Sequence, residues 1–398
     1  MPSPVYVYVP TILTTALLTW IVTKWWSKSH PSYSSSSSSC SKLQGVTQWV
    51  VVSHDPLLSL TISILRCLGC DESTAAVVGK HLVDSNLQSV DSHGVVRLAQ
   101  YCEQAEKKLF DPRGTPSVRQ TEGGGWVVDG NSGFGITALQ AAVRKGLELL
   151  QDPTGSGVAA VGVVNCGHTG RLSEFVEMGA NAGALTIICG GGSRRCWRQV
   201  APYGGAKGVL PTNPWAVGMP GDGAGPVILD FATSAMAGGW VMAALHAGAS
   251  LPGGAIIDKD GNPSTDPQDY KDGGALLPAA GPKGYGLGLM AELIGGALLG
   301  EVETEAGLGL NSLVILLDTN RFMAPEKLQA GVHSVLEDVR GCPPASGHKA
   351  VLVPGQWERE HAERVIREGV RIPKLIWERL SALANRLRIN TLPQVREI

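Results

Sequence analysis

One short stretch combines a proton-transfer group, a fixed cation and a phenol: Asp91-Ser92-His93-Gly94-Val95-Val96-Arg97-Leu98-Ala99-Gln100-Tyr101. If this stretch is helical, His93, Arg97 and Tyr101 recur at i, i+4 and i+8 and share one face. An imidazole exchanges a proton near neutral pH, and a guanidinium one turn away can bind a carboxylate at two points. Ser92 could orient the imidazole. The pattern predicts a site that holds a 2-oxo or 2-hydroxy acid and moves a proton on the oxygen at its second carbon. A solvated surface or a satisfied core is the alternative interpretation of the spacing alone.

The overall composition excludes some classes of function. With a formal net charge of −2 over 398 residues and no basic stripe, binding of nucleic acid is not expected. The 51 glycines and the 17% of charged residues favour an α/β or α+β enzyme over a helical bundle. Cys67 and Cys70 form a Cys-x-x-Cys pair, but the second pair of a zinc site is missing. We therefore expect no metal site, and we expect the cysteines to be reduced thiols.

The N-terminal part differs from the rest of the chain. Residues 1–28 are largely apolar up to Lys24 and Lys28, which predicts a possible membrane anchor with the downstream enzyme in the cytoplasm. A wrongly assigned start, which joins an unrelated extension to an enzyme, is the alternative. Residues 29–50 include a serine run and are predicted to form a disordered linker. The catalytic unit would then be residues 51–398.

Hydrophobic periodicity predicts helices and strands throughout this unit. Helices are predicted for 57–86 with a break at 69–71 and Asp71 or Ser73 as the cap, for 136–150 and 172–181, from 232–235 onward, and for 282–299. Strands are predicted for 126–129 within an edge hairpin 120–135, and for 157–164, 185–189, 227–229 and 311–318. The charged helical region 358–388 is interpreted as an outer face or a dimer surface.

Several turns at the ends of these elements carry candidate ligand-binding residues. His168 and Gly170 lie in a turn between a strand and a helix, an arrangement that suits a phosphate. Asn213 precedes a proline and is predicted to be extended, so that its amide could face a ligand. Lys283 opens a long apolar helix and could meet a phosphate or a carboxylate. A Gly-x-Gly-x-x-Gly fingerprint after an early strand is missing, as is a Walker loop, so a Rossmann fold is not predicted.

Taken together, the motifs resemble those of one known family. Ser-His-Gly-x-x-Arg-x-x-x-Tyr, the histidine turn at a strand end, Thr-Asn-Pro, Asp-x-Ala-Thr-Ser and Lys-Gly-Tyr-Gly follow one another in this order. From about residue 55 to about residue 375 the chain resembles the malate/L-lactate dehydrogenase family of the second type. That family includes ureidoglycolate and sulfolactate dehydrogenases, diketogulonate reductase and piperideine-carboxylate reductase. The resemblance implies a homodimeric α/β (mixed α+β) enzyme with a non-Rossmann fold and a central mixed sheet flanked by helices. It also implies a nucleotide-binding subdomain at about 157–290, inserted between helical N- and C-terminal parts.

The resemblance also implies an activity and a set of site residues. The activity is hydride transfer between NAD or NADP and the second carbon of a small 2-hydroxy or 2-oxo acid, with no metal. The catalytic residues would be His93, Ser92 and His168. The substrate would contact Arg97, Tyr101 and Thr212. The cofactor would contact His168, Thr169, Gly170, Arg171, Leu172, Asn213, Asp230, Phe231, Ala232, Lys283, Gly284, Gly355 and Arg359.

Some positions depart from the family pattern, and alternatives follow from them. Cys166 and Thr169 stand where the family usually has a serine and a bulky residue, and Gln356 stands in place of a glutamate. The substrate, the choice between NAD and NADP and the direction of the reaction therefore stay open. A reductase of cyclic imine 2-carboxylates would use the same residues. A non-catalytic, membrane-tethered binding module is the alternative from another class.

Overall fold

The computed structural model describes residues 48–300, 309–389 and 391–398. The predicted anchor 1–28 and the predicted linker up to residue 47 lie outside this part of the chain. The predicted end of the linker at residue 50 is wrong. Trp49 and Val50 already belong to the first strand, β1 (Trp49–Val52), and Val50 is buried in the core. Within the described residues, no helix is both long enough and apolar enough to cross a bilayer.

The first two helices form where the periodicity predicts them. Helix α1 spans His54–Cys67 and α2 spans Glu72–Leu87. Gly69 lies between them with a φ of +109°, a conformation that favours glycine. The Asp71 side chain accepts a hydrogen bond from the backbone N–H of Thr74 at 2.6 Å, and so Asp71 is the N-cap of α2. Both the break and the cap are confirmed.

The prediction that His93 and Arg97 share one helix is wrong. Asp91–His93 forms a 3₁₀ turn, the backbone of Gly94 is extended, and helix α3 begins only at Arg97 and spans Arg97–Glu106. The cause is Asn86 on α2. Its side chain accepts a hydrogen bond from Val95 N at 2.9 Å and donates one to Asp91 Oδ1 at 2.7 Å, and a Cβ on Gly94 would lie 2.2 Å from its oxygen. A buried amide thus holds the turn open where local spacing favours a continuous helix.

The remaining elements are assigned as follows. The strands are β2 Ser117–Gln120, β3 Trp126–Asp129, β4 Val158–Cys166, β5 Ala184–Gly191, β6 Trp215–Met219, β7 Val227–Phe231, β8 Ile256–Ile257, β9 Pro263–Ser264, β10 Ala275–Leu276, β11 Leu310–Asp318, β12 Val370–Pro373 and β13 Val395–Glu397. The helices are α4 Gly135–Leu150, α5 Ser173–Asn181, α6 Gly238–Ala247, α7 Pro267–Lys271, α8 Pro282–Glu292 with a π-helical continuation Leu293–Leu298, α9 Pro325–Arg340, α10 Gln356–Glu368 and α11 Lys374–Arg386.

The central sheet has seven strands in the order β2-β3-β4-β11-β5-β6-β7. The pair β3–β4 is parallel and the other neighbours are antiparallel, so the sheet is mixed as predicted and has none of the repeated parallel units of a Rossmann fold. Val161 on β4, Val314 on β11 and Ile188 on β5 are fully buried beneath the flanking helices α4 and α5. Strands β2, β3 and β11 lie outside 157–290, so the predicted subdomain bounds do not coincide with the sheet.

Residues before β6 and after β7, within 191–281, form a smaller unit. It contains the three-stranded sheet β10-β8-β9 and has its own core, which includes Val200, Leu210 and Ile256. The helix predicted to open at 232–235 begins at Gly238 instead. Thr233 donates hydrogen bonds from its backbone N and its Oγ1 to the Thr212 carbonyl at 2.9 and 3.0 Å, and these bonds keep the segment extended.

The two ends of the described chain close against each other. Strand β1 lies between β12 and β13 and pairs antiparallel with both, with Val52 opposite Val370 and Val395. This second sheet joins the N-terminal helices to α10 and α11, and it places both C-terminal helices beside the residues that follow α2.

Candidate active site

A single large cavity collects most of the predicted site residues. Its volume is about 1600 Å³, and it lies between the 91–104 segment, the turn after β4, the ends of β6 and β7, and the C-terminal helices. The predicted residues that line it are Ser92, His93, Arg97, His168, Thr169, Gly170, Arg171, Leu172, Thr212, Asn213, Asp230, Phe231, Ala232, Gly355 and Arg359. Tyr101, Lys283 and Gly284 do not line it.

Two imidazoles at one wall of the cavity and a phenol behind them contact one another in a row. Ser92 Oγ lies 2.9 Å from His93 Nδ1, which leaves Nε2 as the nitrogen that faces no hydrogen-bond partner among the described residues. The His93 and His168 rings stack with centroids 5.3 Å apart and planes inclined by 24°. Tyr101 Oη lies 2.9 Å from His168 Nδ1. Tyr101 is buried against Phe134, so it holds His168 from behind and does not line the site as predicted.

Arg97 presents a positive charge to the same wall. Its Nε donates to the Ser92 carbonyl at 2.6 Å, and its Nη1 donates to Gln100 Oε1 at 2.6 Å. The side chain is half-buried, and no carboxylate in the described ranges 48–300, 309–389 and 391–398 forms an ion pair with it. A desolvated guanidinium that is held by neutral acceptors is prepared for an anionic ligand. Gln100 is a neighbour that the sequence interpretation missed, although it follows Arg97 at helical spacing.

Both cavity imidazoles are neutral in the free chain. Loss of hydration and then the Arg97 charge lower the pKa of His93 to about 3. The same two causes, followed by His93, hold the pKa of His168 well below its usual range. The expectation that His93 exchanges a proton near neutral pH is therefore corrected for the free chain, because burial and then the Arg97 guanidinium disfavour the charged ring. An anion bound beside Arg97 would offset this repulsion.

The turn after β4 does not offer a free helix N-terminus to a phosphate. The backbone N–H of Ser173, at the start of α5, donates to Asp230 Oδ2 at 2.7 Å, so a carboxylate already occupies that position. The Arg171 guanidinium turns inward, where it donates to Gln88 Oε1 at 3.0 Å and lies 3.5 Å from Glu174 Oε2. The phosphate prediction for this turn is therefore corrected, although Asp230 itself is exposed towards the cavity.

Asn213 lines the cavity but is not extended, and its amide nitrogen is bound by its own chain, whereas its Oδ1 has no hydrogen-bond partner among the described residues. Its φ is +38°, and its Nδ2 donates to Glu292 Oε2 at 2.9 Å and to the Gly190 carbonyl at 3.3 Å. Glu292 is buried and also accepts hydrogen bonds from the backbone N–H groups of Gly192 and Arg194, both at 2.9 Å. This carboxylate anchors the Thr212-Asn213 turn to α8. The one sequence signal for it was an acidic residue inside an otherwise apolar helix.

Of the remaining predicted cofactor residues, Lys283 and Gly284 do not line the cavity, whereas Gly355 and Arg359 do. Lys283 is exposed on the first turn of α8, and a Cβ on Gly284 would lie 2.1 Å from the Ala279 carbonyl, so Gly284 serves close packing. Gly355 has a φ of +84° at the start of α10, and Arg359 donates from Nη1 to the Pro226 carbonyl at 2.7 Å. Both line the cavity, as do residues of 372–379, so the inner faces of α10 and α11 form a wall of the site and are not only an outer surface.

No metal centre is evident in the part of the chain that the structure describes. Among those residues, no group of three or more His, Cys, Asp or Glu side chains could hold a metal ion. The seven described cysteines are free thiols, and Cys70 is buried.

Comparisons with known proteins find one matching family and several relatives. A sequence model of the malate/L-lactate dehydrogenase family matches residues 52–381. The ureidoglycolate dehydrogenase (NAD(+)) of Escherichia coli K12 is 32% identical over 340 residues, which is 83% of this chain and 94% of that protein. A Δ1-pyrroline-2-carboxylate/Δ1-piperideine-2-carboxylate reductase of Pseudomonas putida is 36% identical over 253 residues, 63% of this chain and 72% of that protein. The solved sulfolactate dehydrogenase of Methanocaldococcus jannaschii superposes with a TM-score of 0.75 at 27% identity, covering 85% of this chain and 98% of that one.

Proposed function

Because this chain belongs to the malate/L-lactate dehydrogenase family, we propose that it transfers a hydride between NAD or NADP and the second carbon of a small 2-hydroxy or 2-oxo acid. The predicted enzyme class, an NAD(P)-dependent dehydrogenase, is the class of this family. The observation that carries the proposal for this chain is Arg97, a half-buried cation at the cavity wall with only neutral acceptors around it.

The substrate carboxylate is proposed to bind Arg97. Two neutral oxygens already hold Nε and Nη1, so the guanidinium is fixed in orientation before a ligand arrives. A carboxylate supplies the negative charge that the site lacks, and its hydrogen bonds to a charged donor contribute about 1.5–3 kcal/mol. Thr212, half-buried on the facing side of the cavity, would position the rest of the acid.

His93 is proposed to be the acid/base. With Nδ1 bonded to Ser92 Oγ, the neutral ring can present its Nε2 lone pair to a hydroxyl group at the second carbon of the acid. In the oxidative direction Nε2 takes the hydroxyl proton. In the reductive direction it returns a proton to the carbonyl oxygen, and the bound carboxylate raises the pKa of His93 by offsetting the charge of Arg97.

The cavity fits a dinucleotide beside the acid. Its volume of about 1600 Å³ exceeds the usual range for a single small ligand, roughly 300–1,000 Å³. Asp230 exposes a carboxylate that can accept hydrogen bonds from ribose hydroxyl groups, and Arg359, bonded to the carbonyl of Pro226 just before β7, offers a cation to the same cavity. When bound, NAD(P) supplies the site that accepts or donates the hydride.

A reductase of cyclic imine 2-carboxylates is the second candidate. The Pseudomonas putida relative bears that activity in its name. Such a substrate has the same carboxylate for Arg97, and its ring nitrogen would receive the proton from His93 in place of a carbonyl oxygen. A non-catalytic, membrane-tethered binding module would have no need of an acid/base beside the cation.

One experiment separates these candidates. The full-length protein is mixed with NADH or NADPH and with 2-oxo acids, their amides, or cyclic imino acids, and reduced-nicotinamide absorbance is followed. We expect NADH or NADPH to be oxidised with acids of one class and hardly at all with the amides of those acids. The reason is that a neutral amide cannot form an ion pair with Arg97. We expect His93→Ala to lower turnover by on the order of a hundredfold, the usual share of acid/base catalysis. His54→Ala is the matched control, because His54 is the first residue of α1 and does not line the cavity. Equal rates with acids and amides would contradict the role of Arg97, and no turnover with any compound would favour the binding module.

We also propose that the chain is a homodimer that pairs through the apolar side of α8 and its π-helical continuation. Leu287, Met290, Leu293 and Leu298 are exposed there, Leu298 by 69%. A contiguous apolar surface of this kind is typical of a protein interface. Analytical ultracentrifugation of the wild type and of Leu293→Asp should give a dimer and a monomer, respectively. A wild-type monomer would contradict the proposal.

The membrane anchor at residues 1–28 is proposed separately. Fractionation of cells that express the full chain should recover it with membranes after both salt and alkaline washes, with the catalytic unit on the cytoplasmic side. Recovery in the supernatant would contradict an anchor.

A further inference from the structure

A buried histidine lies directly beneath the turn that carries His168. His81 on α2 is fully buried, with 0% of its surface exposed, and none of the proposed chemistry uses it. Its Nδ1 lies 2.7 Å from Glu174 Oε2, and its Nε2 accepts a hydrogen bond from the backbone N–H of Arg171 at 3.2 Å. The ring also stacks on Phe175, with centroids 5.7 Å apart.

These contacts fix the charge and the tautomer of the ring. A backbone N–H can only donate, so Nε2 of His81 must carry its lone pair. The single ring proton is then on Nδ1, where it is donated to Glu174. Burial lowers the pKa of His81, which keeps the ring neutral and agrees with this assignment. His81 is therefore a fixed acceptor for one backbone group of the turn.

The turn is pressed closely onto this acceptor. Gly170 has a φ of +69°, and a Cβ there would lie 1.9 Å from His81 Nε2. His168, two residues earlier, stacks on His93 and bonds to Tyr101. The turn thus has two attachments, one at the Tyr101–His168 bond and one at the bond from Arg171 to His81.

We propose that His81 is a positioning residue for the site: by accepting the Arg171 N–H it holds residues 168–172 so that His168 stays against His93 and the turn stays in the cavity wall. Glu174 supports this role by fixing the tautomer of His81. The catalytic part of this inference rests on the proposed dehydrogenase function, whereas the structural part concerns the chain alone. Misplacement of a site by about 1 Å can cost a hundredfold in rate, so such a support has a measurable effect.

Two substitutions of His81 distinguish its nitrogens. A glutamine side chain is long enough to place an oxygen near the Nε2 position, where it can accept the Arg171 N–H. An asparagine reaches only the Nδ1 position, so it keeps a partner for Glu174 and loses the acceptor. We expect His81→Asn to lower kcat at saturating acid and cofactor about tenfold or more, and His81→Gln to recover most of that loss. Ser85→Ala, which removes a buried hydrogen bond one turn along α2, should leave kcat unchanged.

Hydrogen exchange of the Arg171 amide supplies a readout that needs no activity. In His81→Asn this amide should exchange at least tenfold faster than in the wild type, with the exchange of α2 little changed. His81→Gln and Ser85→Ala should retain wild-type exchange at Arg171. If the proposed function is wrong, the wild type will show no turnover with any acid. The comparison of Arg171 amide exchange between the wild type and the variants would still test the role of His81.

A second pair of variants covers the case in which neither His81 variant folds. Glu174→Gln keeps an acceptor for His81 Nδ1, whereas Glu174→Leu removes it, and both lose the charge near Arg171 equally. We expect faster Arg171 exchange and lower turnover in Glu174→Leu only. Equal exchange at Arg171 in the wild type and His81→Asn, or in both Glu174 variants, would overturn the proposal. A loss of kcat that is the same in His81→Asn and His81→Gln would overturn it as well.

Discussion

Two charged side chains, the buried Glu292 and the half-buried Arg97, have opposite kinds of surroundings. Glu292 accepts three hydrogen bonds from its own chain, from Gly192, Arg194 and Asn213. Arg97 is held by two neutral oxygens and has no carboxylate beside it in the described residues. Because a buried charge is costly unless it is compensated, the first arrangement serves the fold, and the second is the one that we propose a ligand completes. If this proposal holds, the two environments distinguish a structural charge from a functional one without reference to position in the sequence.

The largest expected effect is on stability, at Glu292. Glu292→Leu leaves three buried donors without an acceptor, and we expect it to lower the free energy of unfolding by about 3–5 kcal/mol. Denaturant unfolding of the full chain measures this loss. Glu337→Leu is the control, since Glu337 is an exposed partner of Arg340 and should change stability by less than about 1 kcal/mol. A loss at Glu292 no larger than at Glu337 would break the comparison.

The next effect is on binding, at Arg97. Arg97→Leu removes a cation that the fold does not compensate, so we expect the free energy of unfolding to stay unchanged or to rise. The KM for the acid should rise about tenfold to a hundredfold, the equivalent of about 1.5–3 kcal/mol for a charged hydrogen bond. Arg113→Leu, at an exposed ion pair, is the matched control. Destabilisation comparable to that of Glu292→Leu would show that Arg97 serves the fold after all.

The last prediction concerns an effect that is small for each pH unit, the pH dependence that burial and then the Arg97 charge impose through His93. The pKa of His93 is lowered to about 3, whereas an unfolded histidine has a pKa of about 6.5. Between these values the unfolded chain binds a proton that the native chain does not, so stability falls as pH falls, by up to about 1.4 kcal/mol per pH unit for this group. His93→Gln should reduce the slope of unfolding free energy against pH from about pH 6 to pH 4. An unchanged slope would mean that the ring is protonated normally in the native chain.

Regular elements could be predicted from the sequence, and the states of single side chains could not. Helices α1, α2, α4 and α5 and strands such as β4 and β11 follow local periodicity, because their apolar faces are buried in the folded chain. The segment around His93 departs from its helical spacing because the amide of Asn86 competes for the backbone. Asn213 departs from the extended form because Glu292, far along the chain, binds its amide.

The candidate site shows the same limit. The ordered motifs of the sequence were enough to predict that the cavity wall contains His93, Arg97 and His168. Their protonation could not be predicted, because the pKa of His93 depends on burial and on a guanidinium brought close by folding. His81 gave no motif at all. Its partners, Arg171 and Glu174, are distant in sequence and meet it only in the folded chain.

The placement of β1 between β12 and β13 has a consequence for synthesis of the protein. Ribosomes extend a chain from its N-terminus, so β1 emerges early and its two partner strands emerge late. Until residues 370–397 are released, β1 presents two unpaired edges, and the cavity wall formed by α10 and α11 does not exist. A nascent chain of this protein should therefore need protection of its first strand, and it should acquire its binding cavity only after translation of the C-terminal helices.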